Sequence, residues 1–210
     1  MKHAMPDTAY IAHADQRTAD ILASARRAFV EKGFDGASMQ DLARNAGMSV
    51  GNFYRYFPSK AAIVEALIAQ DMAEMSHAFG AILTAPNPME ALRRTVHARI
   101  TEAACESEGA LWAEINAASL RKPEIAAITQ QMETSIVENL TKVFALAHGW
   151  PEAETHARFA SQAALMVLLV QAAAMQSTSP VAGRTDLNDL IIRMIDQILD
   201  AIAASAPQES

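Results

Sequence analysis

The sequence lacks the features that would place it outside the cell or in a membrane. Cys105 is its single cysteine, so no intramolecular disulfide can form, and we expect a cytoplasmic protein. The longest apolar run, 163–170, is far shorter than the roughly 20 residues of a membrane-spanning helix. The first 16 residues also lack the apolar core of a secretory signal. We therefore expect no contact with a membrane.

Sequence signatures of common enzymes are missing as well. The chain has no G-x-S-x-G, no Walker glycine loop and no dinucleotide fingerprint, and none of its six histidines has tight metal-ligand spacing. Glu106 and Glu108 would raise the pKa of the Cys105 thiol if they lie near it, which disfavours a reactive nucleophile. A redox-sensing role of Cys105 remains an alternative. We expect a protein that is not an enzyme and that uses no cofactor and no metal.

Positive charge is scarce and unevenly distributed. The chain carries a net charge of −7. Residues 1–60 hold eight basic and six acidic side chains, whereas the remainder holds nine and 18. The excess acid therefore lies in the C-terminal part, and the N-terminal part keeps a small basic surplus.

Strand-like alternation is missing, and helical spacing of apolar residues covers most of the chain. Proline or glycine stands at most of the junctions between apolar stripes. The pattern predicts an all-α fold of about nine helices. We expect a flexible arm at 1–14, a three-helix helix-turn-helix domain at 15–60, and a helical domain at 61–205. A long helix at about 59–83 is predicted to cross from one domain into the other.

The stretch 38–60, SMQDLARNAGMSVGNFYRYFPSK, carries the strongest local signals. Ser38 and Asp41 have the spacing of a capping box, and Ser49 can cap a second helix. Gly47 stands where the chain must reverse, and Phe53 follows it as an apolar anchor. This spacing is typical of a helix-turn-helix, although an αα-corner in another helical protein has the same local pattern.

The end of this stretch is more specific. GNFYRYFPSK resembles the signature G-x-L-Y-x-H/Y-F-x-S/N-K of the TetR family of bacterial transcription regulators, and the resemblance covers about 17–60. It implies a homodimer that binds a near-palindromic double-stranded DNA operator, most often a repressor released by a small-molecule effector. The alternative is a protein of this fold that binds ligands or partners without binding an operator.

The resemblance also implies the residues that contact DNA. Position 50 is often basic in the family and is Val here, while position 52 is often Thr and is Asn here, so base preference is open. Arg55 is either a phosphate contact or a solvated or intramolecular charge, and Tyr56 is either a contact or partly core. The implied contacts are Ser38, Gln40, Arg44, Ser49, Val50, Gly51, Asn52, Tyr54, Tyr56 and Lys60.

Two further sets of residues follow from the family's architecture, in the C-terminal helices. The helices at 151–176 and 186–204 are more apolar than one buried face requires, which favours pairing with a second copy. The expected interface residues are Ala163, Val167, Val170, Ala174, Leu190, Ile191, Met194 and Ile198. A ligand pocket is expected inside the bundle, and the alternative for each candidate lining residue is a place in the plain core. The candidates are Met75, Phe79, Ile100, Trp112, Met132, Ile136, Phe159 and Met166. Because few basic residues share these stripes, we expect a neutral or cationic, largely apolar effector.

Overall fold

A computed structural model describes residues 8–102, 106–175 and 184–205, with side chains at 17–101, 109–175 and 186–205. Within these ranges the chain forms nine helices and no strand. The all-α prediction is therefore confirmed. The helices are α1 (Thr8–Gly36), α2 (Met39–Asn45), α3 (Val50–Tyr56), α4 (Lys60–Leu83), α5 (Pro88–Glu102), α6 (Glu106–Ser119), α7 (Pro123–His148), α8 (Glu152–Met175) and α9 (Arg184–Ala203).

The start of α1 differs from the sequence prediction. The helix begins at Thr8, whereas the apolar stripe indicated a start near Asp15. Residues 8–14 contain neither proline nor glycine, so nothing after Pro6 prevents the helix from extending toward the N-terminus. Residues 1–7 of the expected arm and Cys105 lie outside the described residues.

Most other boundaries follow from local chemistry. Gly33 has φ +73 and interrupts the helical geometry of α1, close to the end that the sequence predicts. The Ser59 hydroxyl accepts a 3.1 Å hydrogen bond from the backbone N–H of Ala62 at the start of α4. Pro88 and Pro123 occupy the first positions of α5 and α7, where the missing N–H has no intrahelical role.

The chain forms two compact units, Met1–Ala69 and Gln70–Ser210. The first unit has its own apolar core, built from one face of each of its helices. The rings of Phe29 and Phe34 lie 5.4 Å apart within it. Its buried residues include Ile21, Leu22, Ala25, Ala28, Phe29, Phe34, Leu42, Ala43, Phe53, Phe57, Ile63, Val64 and Leu67.

The second unit has a larger core, to which α4, α5, α7, α8 and α9 contribute. On α9 the buried stripe is Ile191, Ile195, Leu199 and Ile202. Polar contacts also join α9 to α5. The Arg93 guanidinium contacts Asp196, at 2.5 Å, and Asp200, and the His97 ring nitrogen Nε2 lies 2.9 Å from Asp196 Oδ1. These contacts attach the side of α9 that carries Asp196 and Asp200 to α5, and they do not involve its opposite side.

By length and composition alone, α8 is apolar enough to cross a membrane. Its apolar residues divide between two surroundings. Phe159, Ala163 and Met166 lie in the core of the second unit, whereas Leu165 and Leu168 are exposed. The helix therefore has one face for its own core and a second apolar face.

Candidate nucleic-acid interface

The predicted capping box is present at the start of α2. The Ser38 hydroxyl accepts a 3.1 Å hydrogen bond from the backbone N–H of Asp41. The Asp41 oxygen Oδ2 accepts in return from the backbone N–H of Ser38 at 3.2 Å and from its hydroxyl at 2.6 Å. These bonds pair donors that a helix N-terminus otherwise leaves open, so they set where α2 begins.

The reversal between α2 and α3 is a Schellman turn centred on Gly47. This residue has φ +64, a conformation that is unfavourable for residues with a side chain. The N–H of Gly47 bonds the Arg44 carbonyl at 3.0 Å, and the N–H of Met48 bonds the Ala43 carbonyl at 2.9 Å. The Ser49 hydroxyl then accepts from the N–H of Asn52 at 3.3 Å and caps α3. The local pattern therefore produces the helix-turn-helix that the sequence predicts.

One face of α3 is anchored in the core. Phe53 is fully buried and Phe57 is nearly so, with their ring centroids 6.2 Å apart. The other side chains of the helix, including Val50, Tyr54 and Tyr56, are all exposed. Tyr56 is 40% exposed, so it is not a core residue.

Helical geometry orders the exposed residues around α3. At about 100° per residue, Gly51 and Arg55 point directly away from Phe53, while Asn52 and Tyr54 flank them. The outermost ridge of the helix is therefore a glycine followed by an arginine. Arg55 forms no ion pair with any described residue. The sequence left the role of Arg55 open, and counting from the buried Phe53 places it on this ridge.

The other expected contact residues differ in the hydrogen bonds that they already make within the protein. Gln40 is exposed on α2. Ser38 and Ser49 are also exposed, and both hydroxyls cap helices. Arg44 is 74% exposed, yet its guanidinium donates a 2.6 Å hydrogen bond to Asp41 Oδ1. The Ser49 oxygen accepts the capping bond, so its O–H can still donate to a phosphate, whereas the Ser38 O–H is already donated to Asp41.

Lys60 has a role that the sequence did not predict. Its ammonium donates to the carbonyl oxygen of Phe34 at 2.6 Å and to that of Asp35 at 3.3 Å. It also lies 4.8 Å from the centroid of the Phe34 ring. The expected phosphate contact of Lys60 stays a prediction, and the geometry gives this lysine a structural function as well.

The residues expected to line a ligand pocket lie in the second unit. Most belong to its apolar core: Phe79, Ile100, Phe159 and Met166 are buried there, with Met75 and Ile136 packed against them. Met132 is buried and Trp112 is half-buried. A cavity of about 350 Å³ between α8 and α9 shares only Phe159 with the expected set. Their role in ligand binding stays a prediction.

The residues expected at a dimer interface differ in how deeply they are buried within the protomer. Ala163, Val167 and Ile191 are buried in the protomer's own core, and their place at an interface stays a prediction. Val170, Ala174 and Ile198 are half-buried, and Leu190 and Met194 are exposed. Sequence reasoning missed the exposed leucines beside them. We call the exposed set Leu165, Leu168, Leu187, Leu190 and Met194 the apolar row.

Similar proteins agree with this arrangement. The family described as "Bacterial regulatory proteins, tetR family" matches residues 21–67. The regulator UidR of Escherichia coli K12 is 30% identical over 118 residues, which cover 56% of this chain and 59% of UidR. EthR of Mycolicibacterium smegmatis is 40% identical over 84 residues, or 39% of each chain. This chain therefore spans less than two thirds of the length of these curated relatives.

A solved structure extends the likeness beyond the first unit. Salmonella enterica GusR is 26% identical, with a TM-score of 0.65, and the match covers 88% of this chain and 96% of GusR. The capped α2–turn–α3 arrangement, the family match and these relatives lead to one assignment. Residues 21–67 carry the helix-turn-helix domain of the TetR family of bacterial regulatory proteins, and the fold of the chain is similar to that of GusR.

Proposed function

We propose that the chain is a DNA-binding transcription regulator of the cytoplasm, and that α3 enters the major groove of an operator. The observation that carries this proposal is the division of α3, whose Phe53 is buried while Gly51, Asn52, Tyr54 and Arg55 are exposed. An amide can read adenine, and hydroxyl and guanidinium groups suit phosphates or guanine. The minimal side chain of Gly51 lets the helix backbone approach the base edges.

The regulator acts as a homodimer on a near-palindromic operator. A helix of seven residues, Val50–Tyr56, reaches only a few base pairs, so useful specificity calls for two copies. The apolar row on α8 and α9 supports this assembly. Five large apolar side chains exposed on two helices are the kind of surface that a partner covers.

A small-molecule effector bound in the second unit releases the repressor from DNA. The methionines and aromatic rings of that unit suit a largely apolar ligand. Few basic residues share the stripes of the expected lining, which favours a neutral or cationic ligand over an anionic one. The effector must bind the two conformations of the dimer unequally to change its affinity for DNA.

Selection of bound fragments from sheared genomic DNA tests this function, and the same selection with candidate effectors tests release. We expect enrichment of one near-palindromic sequence by the wild-type chain. Asn52→Ala should lose about tenfold or more in preference for that sequence over random DNA, because one bidentate base contact contributes about 1–3 kcal/mol of discrimination. Asn139→Ala removes the same amide from α7 and should leave the preference unchanged.

Recovery of no palindrome by the wild-type chain would favour the rival function, a ligand-binding or interaction protein that does not bind an operator. Equal effects of Asn52→Ala and Asn139→Ala would show instead that DNA is bound but that Asn52 does not read its bases.

A further inference from the structure

The carboxylate of Asp41 makes two kinds of contact, one through each oxygen. Oδ2 accepts from the backbone N–H and the hydroxyl of Ser38, which completes the cap of α2. Oδ1 instead faces two cations, with Arg44 Nη2 at 2.6 Å and Lys32 Nζ at 3.1 Å. Capping requires only one oxygen, so the second contact is not explained by the capping box.

The two cations belong to the small basic surplus of the first unit. They lie on different helices, Lys32 on α1 and Arg44 on α2, and both are exposed enough to meet solvent ions, at 43% and 74%. Residues 1–60 carry only two more basic than acidic side chains. One carboxylate that holds two cations therefore has a large effect on the charge available to phosphate.

The contacts of the carboxylate favour its ionised form. Hydrogen bonds from the Ser38 hydroxyl, then from Lys32 and the Ser38 backbone, hold the pKa of Asp41 well below its ordinary value. Asp41 therefore carries a negative charge beside Lys32 and Arg44 at neutral pH.

We propose that Asp41 is a positioning residue that competes with DNA phosphate for Lys32 and Arg44, and that it thereby limits sequence-independent binding. This inference rests on the proposed function of DNA binding. Sequence-independent affinity comes from the release of counterions by cations that meet phosphates. A cation paired with Asp41 releases fewer counterions, so the regulator binds random DNA weakly and is not retained away from its operator.

The two oxygens allow the two roles to be separated by mutation. Asp41→Asn keeps an oxygen for the cap and replaces the charge that holds Lys32 and Arg44. Ser38→Ala removes the cap and keeps that charge. Glu31→Gln removes the same charge from an exposed position of α1 that forms no ion pair with any described residue, so it controls for net charge alone.

The test measures affinity for a random-sequence duplex between 50 and 200 mM salt, on the full chain. We expect Asp41→Asn to steepen the slope of log affinity against log salt by about 1, since each phosphate contact adds about 0.9. Its affinity for random DNA near 0.1 M salt should rise by up to about tenfold, on the same counting. Glu31→Gln should keep the wild-type slope. Ser38→Ala removes an uncharged hydroxyl at an expected DNA contact, so it should lower the melting temperature and the affinity but keep the wild-type slope.

The inference would be overturned if Asp41→Asn kept the wild-type salt slope. It would also be overturned if Glu31→Gln changed the slope by the same amount as Asp41→Asn. A change shared with Ser38→Ala would overturn it too, because the cap would then be the cause. If the wild-type chain binds no duplex even at 50 mM salt, the proposed function itself fails, which is a different result from an unchanged slope.

Discussion

The ammonium group of Lys60, at the start of α4, donates a 2.6 Å hydrogen bond to the carbonyl oxygen of Phe34, near the end of α1. The last carbonyls of a helix have no intrahelical partner, and the lysine supplies one to Phe34 and to Asp35. A cation near a helix C-terminus also meets the favourable end of the helix dipole. The contact therefore joins the start of α4 to the end of α1 within the first unit.

Lys60→Ala should therefore lower the stability of the first unit. Loss of hydrogen bonds from a charged donor in a half-buried setting costs about 1–2 kcal/mol of unfolding free energy. Thermal unfolding followed by circular dichroism measures the loss, with Lys142→Ala, on the exposed face of α7, as the matched control. An unchanged melting temperature with weaker binding to all DNA sequences would instead assign Lys60 to phosphate alone.

Tyr54→Phe should weaken binding to every duplex by a similar factor. The ring is 47% exposed on α3, and its hydroxyl is suited to donate to a phosphate oxygen. A hydrogen bond to a charged group contributes about 1.5–3 kcal/mol, so we expect a loss of affinity of about tenfold or more. The salt slope should not change, because the phenol carries no charge. A loss confined to the operator would mean that Tyr54 reads a base.

Arg55→Ala should reduce the salt dependence of DNA binding. Arg55 lies on the outermost ridge of α3 and forms no ion pair with a described residue, so its charge is available to DNA. The slope of log affinity against log salt should fall in magnitude by about 1. Arg193→Ala, an exposed arginine on α9, is the control and should keep the wild-type slope. Identical slopes for both variants would show that Arg55 remains solvated in the complex.

The sequence predicted best what depends on neighbouring residues. The Ser38–Asp41 cap, the reversal at Gly47 and the burial of Phe53 all form within a few positions, so residue type and spacing determine them. The contact of Lys60 with Phe34 joins residues 26 positions apart. No local spacing encodes such a contact, which is why the sequence indicated phosphate binding alone.

Helix α9 illustrates a second limit of sequence reasoning. Its residues Leu190, Ile191, Met194 and Ile195 are apolar in adjacent pairs, so the helix has two apolar stripes. Spacing alone cannot decide which stripe faces the protomer's core. The structure buries Ile191 and Ile195 and exposes Leu190 and Met194, so only part of the expected interface remains at the surface.

The apolar row predicts how the dimer can be separated. Leu168 is 58% exposed, and Leu190 45%, so a charge at these positions costs the protomer little while it blocks burial against a second copy. The double variant Leu168→Glu, Leu190→Glu should sediment as a folded monomer at micromolar concentration and lose operator affinity. Leu146→Glu, at an exposed leucine of α7, should remain dimeric. Dimers that persist in the double variant would place the interface elsewhere.

Gly51 provides a test in which stability and DNA affinity should change in opposite directions. Its Cβ, if added, would meet no heavy atom within 4 Å, so Gly51→Ala creates no clash inside the protein. Alanine is the better helix former, and the variant should gain about 0.5–1 kcal/mol of stability. The same methyl group would stand between the outermost ridge of α3 and the base edges, so operator affinity should fall at least tenfold, the equivalent of about 1.4 kcal/mol.

Gly80→Ala is the matched control for this prediction, because a Cβ at Gly80 on α4 also meets no heavy atom within 4 Å. We expect it to raise the melting temperature and to leave operator affinity unchanged. The two variants should therefore agree in thermal unfolding and differ in DNA binding by mobility shift. Unchanged operator affinity in Gly51→Ala would mean that α3 does not approach the groove floor at this residue, and that longer side chains such as Arg55 and Asn52 make the contacts alone.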